Sequence, residues 1–257
     1  MAMRRPLRVA AVLLAGLAGI GDGRAQELPP TPAGDVASQR QWLLQQVRIG
    51  EAMGRQDLIE NALARLRLLE PDDRSTLLAI METQLSMGRI DDAGHSLQRL
   101  RAQGQGSAEL RQGLLLWEVY AGERQDELRE ARLLAARDQT AEALAIYRRL
   151  FDDKPPGLSL GVEYWRLRGS EASARPRAIR ELQALERAYP NIPFLLQALA
   201  RLLFAADRDN EALAALQRVG RIQGMQSLAA QSEWNYLMSQ PADARSVARL
   251  AQFIARY

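Results

Sequence analysis

The sequence has 257 residues, of which 47% are hydrophobic, with 34 basic and 31 acidic residues, one histidine and no cysteine. A chain of this length can bury a sizeable core, and the absence of cysteine excludes disulfides and any metal site built on thiolates. The formal net charge of +3 falls to zero once a predicted leader is removed, so nucleic acid is a poor candidate partner.

The first 25 residues have the pattern of a secretory signal peptide. Three arginines lie within the first eight residues, and an apolar run over residues 9–20 follows. This run is too short to span a bilayer, which needs roughly 20 residues, and Gly23-Arg24-Ala25 has the small-x-small form of a cleavage site. Cleavage after Ala25 would leave 34 − 4 = 30 basic and 31 − 1 = 30 acidic residues. No later segment is predicted to span a membrane.

A helical hairpin that repeats at a fixed step follows the leader. Residues 26–37 are rich in proline and are predicted to be disordered, and helices are predicted from about Ser38. In residues 40–73 two helical patterns of apolar residues are separated by Gly54, and residues 74–107 repeat this layout around Gly88. The two glycines are 88 − 54 = 34 residues apart, which is the period of the tetratricopeptide repeat (TPR).

The repeat is then interrupted and resumes. Residues 108–121 form one additional helix, and further units are predicted over residues 124–157, 159–192 and 193–226, followed by helices in residues 228–239 and 242–257. Ala143, Ala178 and Ala212 fall where the two helices of a unit cross closely and need a small side chain. The predicted fold is therefore all-α, a TPR-type solenoid of helical hairpins over residues 38–257 that winds into a right-handed superhelix.

The register of the units predicts which residues face the concave groove of the solenoid. We place positions 2, 5, 9 and 12 of each first helix on that face, with Tyr164 as an additional candidate for stacking on a glycan. The candidate partner-binding residues are Gln41, Arg48, Glu51, Glu82, Gln125, Arg132, Glu163, Tyr164, Gln197 and Arg201. Arg48, Arg132 and Arg201 share position 9 and are predicted to form a track of arginines. A solvated helix face is the alternative reading of each position.

The sequence contains no pattern that predicts catalysis, a cofactor or a metal. The single histidine, His95, lies at the start of a predicted second helix and excludes a site built on several histidines. Adjacent aspartates such as Asp91 and Asp92 fall at predicted helix starts, where carboxylates cap free N–H groups. No glycine-rich phosphate loop follows a strand, since no strand is predicted.

Three segments resemble the N-terminal TPR region of the bacterial cellulose synthase protein C family. They are QWLLQQVRIGEAMGRQDLIENALARLRLLEPDD (41–73), REARLLAARDQTAEALAIYRRLFDDKPP (129–156) and GVEYWRL (161–167). The resemblance implies a periplasmic scaffold of cellulose export that contacts cellulose synthase components, the glucan chain or peptidoglycan. Members of this family continue into an outer-membrane β-barrel, so the resemblance also implies that this chain is a fragment or a truncated product.

Two other functions remain open on the sequence alone. The first is a general periplasmic TPR adaptor for a different envelope assembly. The second is a glycan-active enzyme, for which the sequence offers only solvated carboxylates and no paired acid and base.

Overall fold

The computed structural model describes residues 34–240 and 244–256, and within these residues it contains thirteen α-helices and no strand. The helices are α1 (Val36–Met53), α2 (Gln56–Leu69), α3 (Arg74–Ser86), α4 (Ile90–Ala102), α5 (Ala108–Tyr120), α6 (Gln125–Ala136), α7 (Thr140–Phe151), α8 (Gly157–Arg168), α9 (Arg175–Ala188), α10 (Pro193–Ala205), α11 (Asp209–Arg221), α12 (Gln226–Ser239) and α13 (Ala244–Arg256). This confirms the all-α prediction. The predicted signal peptide lies outside the described residues.

Most helices pair with their chain neighbours as hairpins, and the turns share one backbone device. The residue at position 15 of its unit has a positive φ in four hairpins, at Gly54 (65°), Gly88 (73°), Asp138 (59°) and Asp207 (57°). A left-handed residue ends the first helix, and glycine or aspartate adopts this conformation at lower cost than other residues. Short turns of two or three residues then bring the second helix back against the first.

Small residues lie where the two helices of a unit cross. Ala143, Ala178 and Ala212 are all 0% exposed. In α8 the corresponding close approach is made by Gly161, where an added Cβ would lie 3.1 Å from Leu185 Cδ1 of α9. A larger side chain at any of these points would push the paired helices apart.

Helix α5 is the additional helix that interrupts the repeat. It packs mainly against α3 and also contacts α4 and α6. Gly113 permits this approach, because an added Cβ would lie 3.4 Å from Leu100 Cδ1 and 3.5 Å from Met81 Sδ. Helix α5 therefore occupies the place of the first helix of a further unit that has no second helix of its own.

Two helix boundaries differ from the predicted ones. Helix α1 begins at Val36, with Asp35 as its N-cap accepting a hydrogen bond from the Ser38 backbone N–H at 2.7 Å. The predicted disordered leader therefore cannot extend to residue 37, and residues 26–33 of it lie outside the described part of the chain. Helix α8 begins at Gly157, and a six-residue loop (169–174) joins it to α9.

The first helices return to contact the later repeats. Helix α1 touches α10, and an added Cβ at Gly224 would lie 2.8 Å from Met53 Cε. The first hairpin keeps an apolar cluster of its own, including Leu43, Leu63 and Leu66, while Ile49 joins the main core. Within the described residues no helix combines the length and apolar character that a bilayer crossing needs.

Candidate functional site

The largest concave feature is a cleft of about 970 Å³ between α8, α10 and α12. Three of the predicted groove residues line it together: Glu163 from α8, and Gln197 and Arg201 from α10. The first helices of successive units contribute two walls and α12 the third, so the cleft exists only because the hairpins stack. We refer to it as the α8–α10–α12 cleft.

Glu163 is held at the edge of this cleft by an ion pair with the preceding unit. Arg132 Nε lies 2.9 Å from Glu163 Oε1, and Arg132 Nη2 lies 3.0 Å from Oε2. The Arg132 guanidinium also lies over the Tyr120 ring, 5.3 Å from its centroid. Burial favours a lower pKa for Arg132, but the hydrogen bond and charge of Glu163 outweigh it and raise the pKa. The Tyr147 hydroxyl donates to the same carboxylate.

Gln197 and Arg201 lie one turn apart on α10 and differ in their contacts. Gln197 Nε2 donates to Ser232 Oγ at 2.8 Å, which links α10 to α12. Arg201 is exposed. The prediction that Glu163, Gln197 and Arg201 bind a partner stays a prediction, but the structure places all three on one cleft.

Tyr164 does not face the groove. Its side chain is 0% exposed, and its ring packs edge-on against Trp165 and Tyr147 at centroid distances of 4.8 and 6.1 Å. Its hydroxyl donates to Asp153. The prediction that Tyr164 stacks on a glycan is therefore wrong. The cause is the helical turn between neighbours, which directs Glu163 to the cleft and the next residue toward the preceding hairpin.

Arg48 and Glu82 are also buried, with side-chain exposures of 6% for each. Arg48 Nη2 lies 3.5 Å from Glu82 Oε2, and Arg48 Nη1 lies 3.0 Å from Glu51 Oε2. Burial favours a lower pKa for Arg48, and the charges of Glu82 and Glu51 outweigh it and raise the pKa. These residues therefore do not line an open groove, and the predicted arginine track through Arg48, Arg132 and Arg201 is wrong.

The two remaining candidates lie apart from the cleft. Gln41 is exposed near the start of α1. Gln125 Nε2 donates to the Tyr120 carbonyl oxygen at 2.8 Å and so ties the start of α6 to the end of α5. Gln125 has a structural partner that accounts for its position.

Sequence reasoning missed several residues of the cleft. Arg166 of α8, Phe194 of α10 and Asn235 of α12 all line it. Arg166 was missed because it immediately precedes the predicted groove position, Leu167, whose side chain is buried instead. Asn235 was missed because α12 follows the last predicted unit and received no groove register.

The described residues offer little to a catalytic or metal-based mechanism. His95 is exposed, and its Nδ1 lies 2.9 Å from the Asp91 carbonyl oxygen of its own helix. Among the described residues no group of three or more histidine, aspartate or glutamate side chains is placed to hold a metal ion. The cleft instead combines charged, polar and apolar side chains on a fixed frame, which suits recognition of a partner.

The repeating hairpins, their left-handed turns and the concave cleft define the chain as a TPR-type helical-repeat protein. Comparison with known proteins then gives the family. The chain is 33% identical over 225 residues to cellulose synthase operon protein C of Salmonella typhimurium, and 30% identical over 228 residues to the same protein of Escherichia coli strain K12. The matches cover 88% and 89% of this chain but only 19% and 20% of those proteins.

A solved structure matches more evenly. The crystal structure of the flexible tandem repeat domain of bacterial cellulose synthase protein C is 33% identical, with a TM-score of 0.56. The match covers 85% of this chain and 90% of that one. No family model matches the chain. The chain belongs to the family of the TPR region of bacterial cellulose synthase protein C, and it spans about a fifth of the length of the curated relatives.

Proposed function

We propose that this chain is a periplasmic TPR scaffold of the bacterial cellulose synthesis and export machinery, without catalytic activity of its own. The observation that carries the proposal is the α8–α10–α12 cleft, a preformed concave surface on a chain of the cellulose synthase protein C family. Stacked hairpins of this type present extended concave surfaces to partners. Cellulose synthase components are the proposed partners.

The predicted signal peptide supports the proposed location. Residues 1–40 fused to alkaline phosphatase, which is active only after export, should give phosphatase activity in intact bacteria. The same fusion without residues 1–25 should give none. Equal activity of the two fusions would contradict export by this leader.

The scaffold role is tested in the source bacterium. Deleting the coding region of residues 38–257 should abolish cell-surface cellulose, measured by Congo red binding, while cellulose synthase remains active in isolated membranes. Restoring the wild-type region should restore the cellulose. Unchanged cellulose after the deletion would overturn the proposal, and loss of synthase activity in membranes would indicate a role in polymerisation instead. Purified chain incubated with cello-oligosaccharides should release no shorter product.

A further inference from the structure

The α8–α10–α12 cleft carries two arginines without an acidic partner. Arg166 and Arg201 are both exposed and line the cleft from neighbouring helices. Within residues 34–240 and 244–256 neither side chain forms an ion pair or a hydrogen bond. Most arginines that we describe in this chain are paired, so two unpaired ones on one concave surface stand out.

The acidic residue of the cleft does not neutralise them. Both carboxylate oxygens of Glu163 are engaged by Arg132, at 2.9 and 3.0 Å, and Tyr147 donates to the same group. The charge of Glu163 is therefore balanced from outside the cleft. Arg166 and Arg201 leave the concave surface with two uncompensated positive charges.

The apolar part of the cleft is unsuited to stacking on a sugar. Phe204 and Tyr236 stack face to face, with ring centroids 3.5 Å apart and an angle of 14° between the rings. Each of these rings therefore presents one face to the other. Phe194 is half-buried at the cleft wall beside them and has room for an apolar side chain.

We infer that the α8–α10–α12 cleft binds a short acidic peptide segment of a protein partner, with carboxylates on Arg166 and Arg201 and an apolar side chain against Phe194. Charge complementarity selects this occupant, because a guanidinium pairs bidentately with a carboxylate. A neutral glucan would leave both arginines unpaired. The cleft volume of about 970 Å³ accommodates several side chains. The inference rests on the proposed scaffold function and specifies the chemistry of the partner.

The test uses the purified chain and three probes. The probes are a fluorescein-labelled peptide in which glutamate alternates with leucine and phenylalanine, the same peptide with glutamine in place of glutamate, and cellohexaose. The acidic peptide should bind, the glutamine peptide should bind about tenfold more weakly or worse, and cellohexaose should not compete. Binding of the acidic peptide should weaken at high salt, since screening acts on exposed charges.

Variants identify the site. Arg166→Ala and Arg201→Ala should each weaken binding of the acidic peptide about tenfold, while Arg166→Lys and Arg201→Lys should retain part of it. The matched control is Arg180→Ala with Arg187→Ala, two exposed arginines of α9 that do not line the cleft. Circular dichroism checks that each variant is folded.

Three results would overturn the inference. They are equal binding of the acidic and glutamine peptides, an unchanged affinity of the folded double variant Arg166→Ala/Arg201→Ala, and competition by cellohexaose at the same site. If the peptide fails to bind while the deletion in cells still abolishes cellulose, the acidic-peptide inference fails and the scaffold function stands. If the deletion has no effect, the scaffold function itself fails.

Discussion

The left-handed residues at position 15 show how one backbone requirement is met by different side chains. Gly54 and Gly88 meet it with glycine, and Asp138 and Asp207 meet it with a residue that tolerates positive φ. Asp138 is exposed, so its cost is mainly one of backbone conformation. Such a position gives a clean test, since a change there alters little else.

We expect Asp138→Gly to stabilise the chain by up to about 1 kcal/mol, because glycine avoids the steric cost of the left-handed region. Gly88→Ala should act in the opposite direction, by about 1 kcal/mol. A Cβ at residue 88 meets no atom within 4 Å, so this loss would come from the backbone alone. Urea unfolding midpoints of the two variants check the pair. Shifts of the same sign would contradict the assignment.

The buried pair of Tyr164 and Asp153 gives a second test at this scale, through pH. The hydrogen bond from Tyr164 is the main cause that lowers the pKa of Asp153 below 3.8, with Arg177 adding to it. The stability that this carboxylate contributes is present above its unfolded pKa and is lost as pH falls through the lower folded pKa. The pKa of Tyr164 is raised to about 12, first by burial and then by Asp153. Its contribution is therefore lost as pH rises through that value.

Tyr164→Phe should reduce the dependence of stability on pH in the acid range. The free energy of unfolding of the wild-type chain should fall more between about pH 6 and pH 3 than that of the variant. Tyr189→Phe is the control, because the Tyr189 side chain is partly exposed and its hydroxyl makes no hydrogen bond to the described residues. Identical acid dependence in wild-type and Tyr164→Phe protein would show that the hydrogen bond carries no stability.

At the scale of elements, the helix crossings set the tolerance of each hairpin. Ala143 is fully buried between α6 and α7, whereas Ala145 of the same helix is exposed. Ala143→Trp should lower the free energy of unfolding by roughly 1–3 kcal/mol or more, because it overpacks the crossing. Ala145→Trp should change it by less than about 0.5 kcal/mol. Chemical denaturation measures both, and an equal effect of the two would mean that Ala143 is not at the crossing.

The same elements show what sequence alone could predict. The period between Gly54 and Gly88 and the small residues such as Ala143 predicted the fold and most helices, because hairpin repeats carry local signals of pattern and turn chemistry. The burial of Tyr164 was not predictable from the repeat period. It depends on Tyr147 and Asp153 of the preceding hairpin, which contact its ring and its hydroxyl.

The cleft was predictable only in part for a related reason. Glu163, Gln197 and Arg201 follow from the register of first helices, and the structure brings them together. The burial of Arg48 and Glu82 depends on how the first two hairpins return against later ones. Such a contact between residues far apart in the chain leaves no periodic trace in the sequence.

At the scale of the whole molecule, one long-range contact ties the first hairpins to the later stack. Glu82 of α3 accepts a hydrogen bond from the Ser159 backbone N–H at 2.9 Å, and so caps the N-terminus of α8 from 77 residues away. Its other oxygen faces Arg48 of α1. The approach requires glycine at residue 157, since an added Cβ there would lie 2.8 Å from the Glu82 carboxylate and φ is +72°. A carboxylate at this end of a helix is also favoured by the helix dipole.

Removing this carboxylate should both destabilise the chain and loosen its overall shape. Glu82→Ala leaves Arg48 buried with Glu51 alone, and loss of one partner of a buried pair costs about 3–5 kcal/mol. The first hairpins then lose their tie to α8, so the radius of gyration from small-angle X-ray scattering should rise. Gly157→Ala should produce the same expansion while both charges remain, because it displaces the Glu82 carboxylate sterically. Glu60→Ala is the matched control, since its pair with Arg89 is partly exposed and should be worth less than about 1 kcal/mol. If Glu82→Ala and Gly157→Ala both stay as compact as Glu60→Ala, the return of the first hairpins depends on their contacts with α10 rather than on this carboxylate.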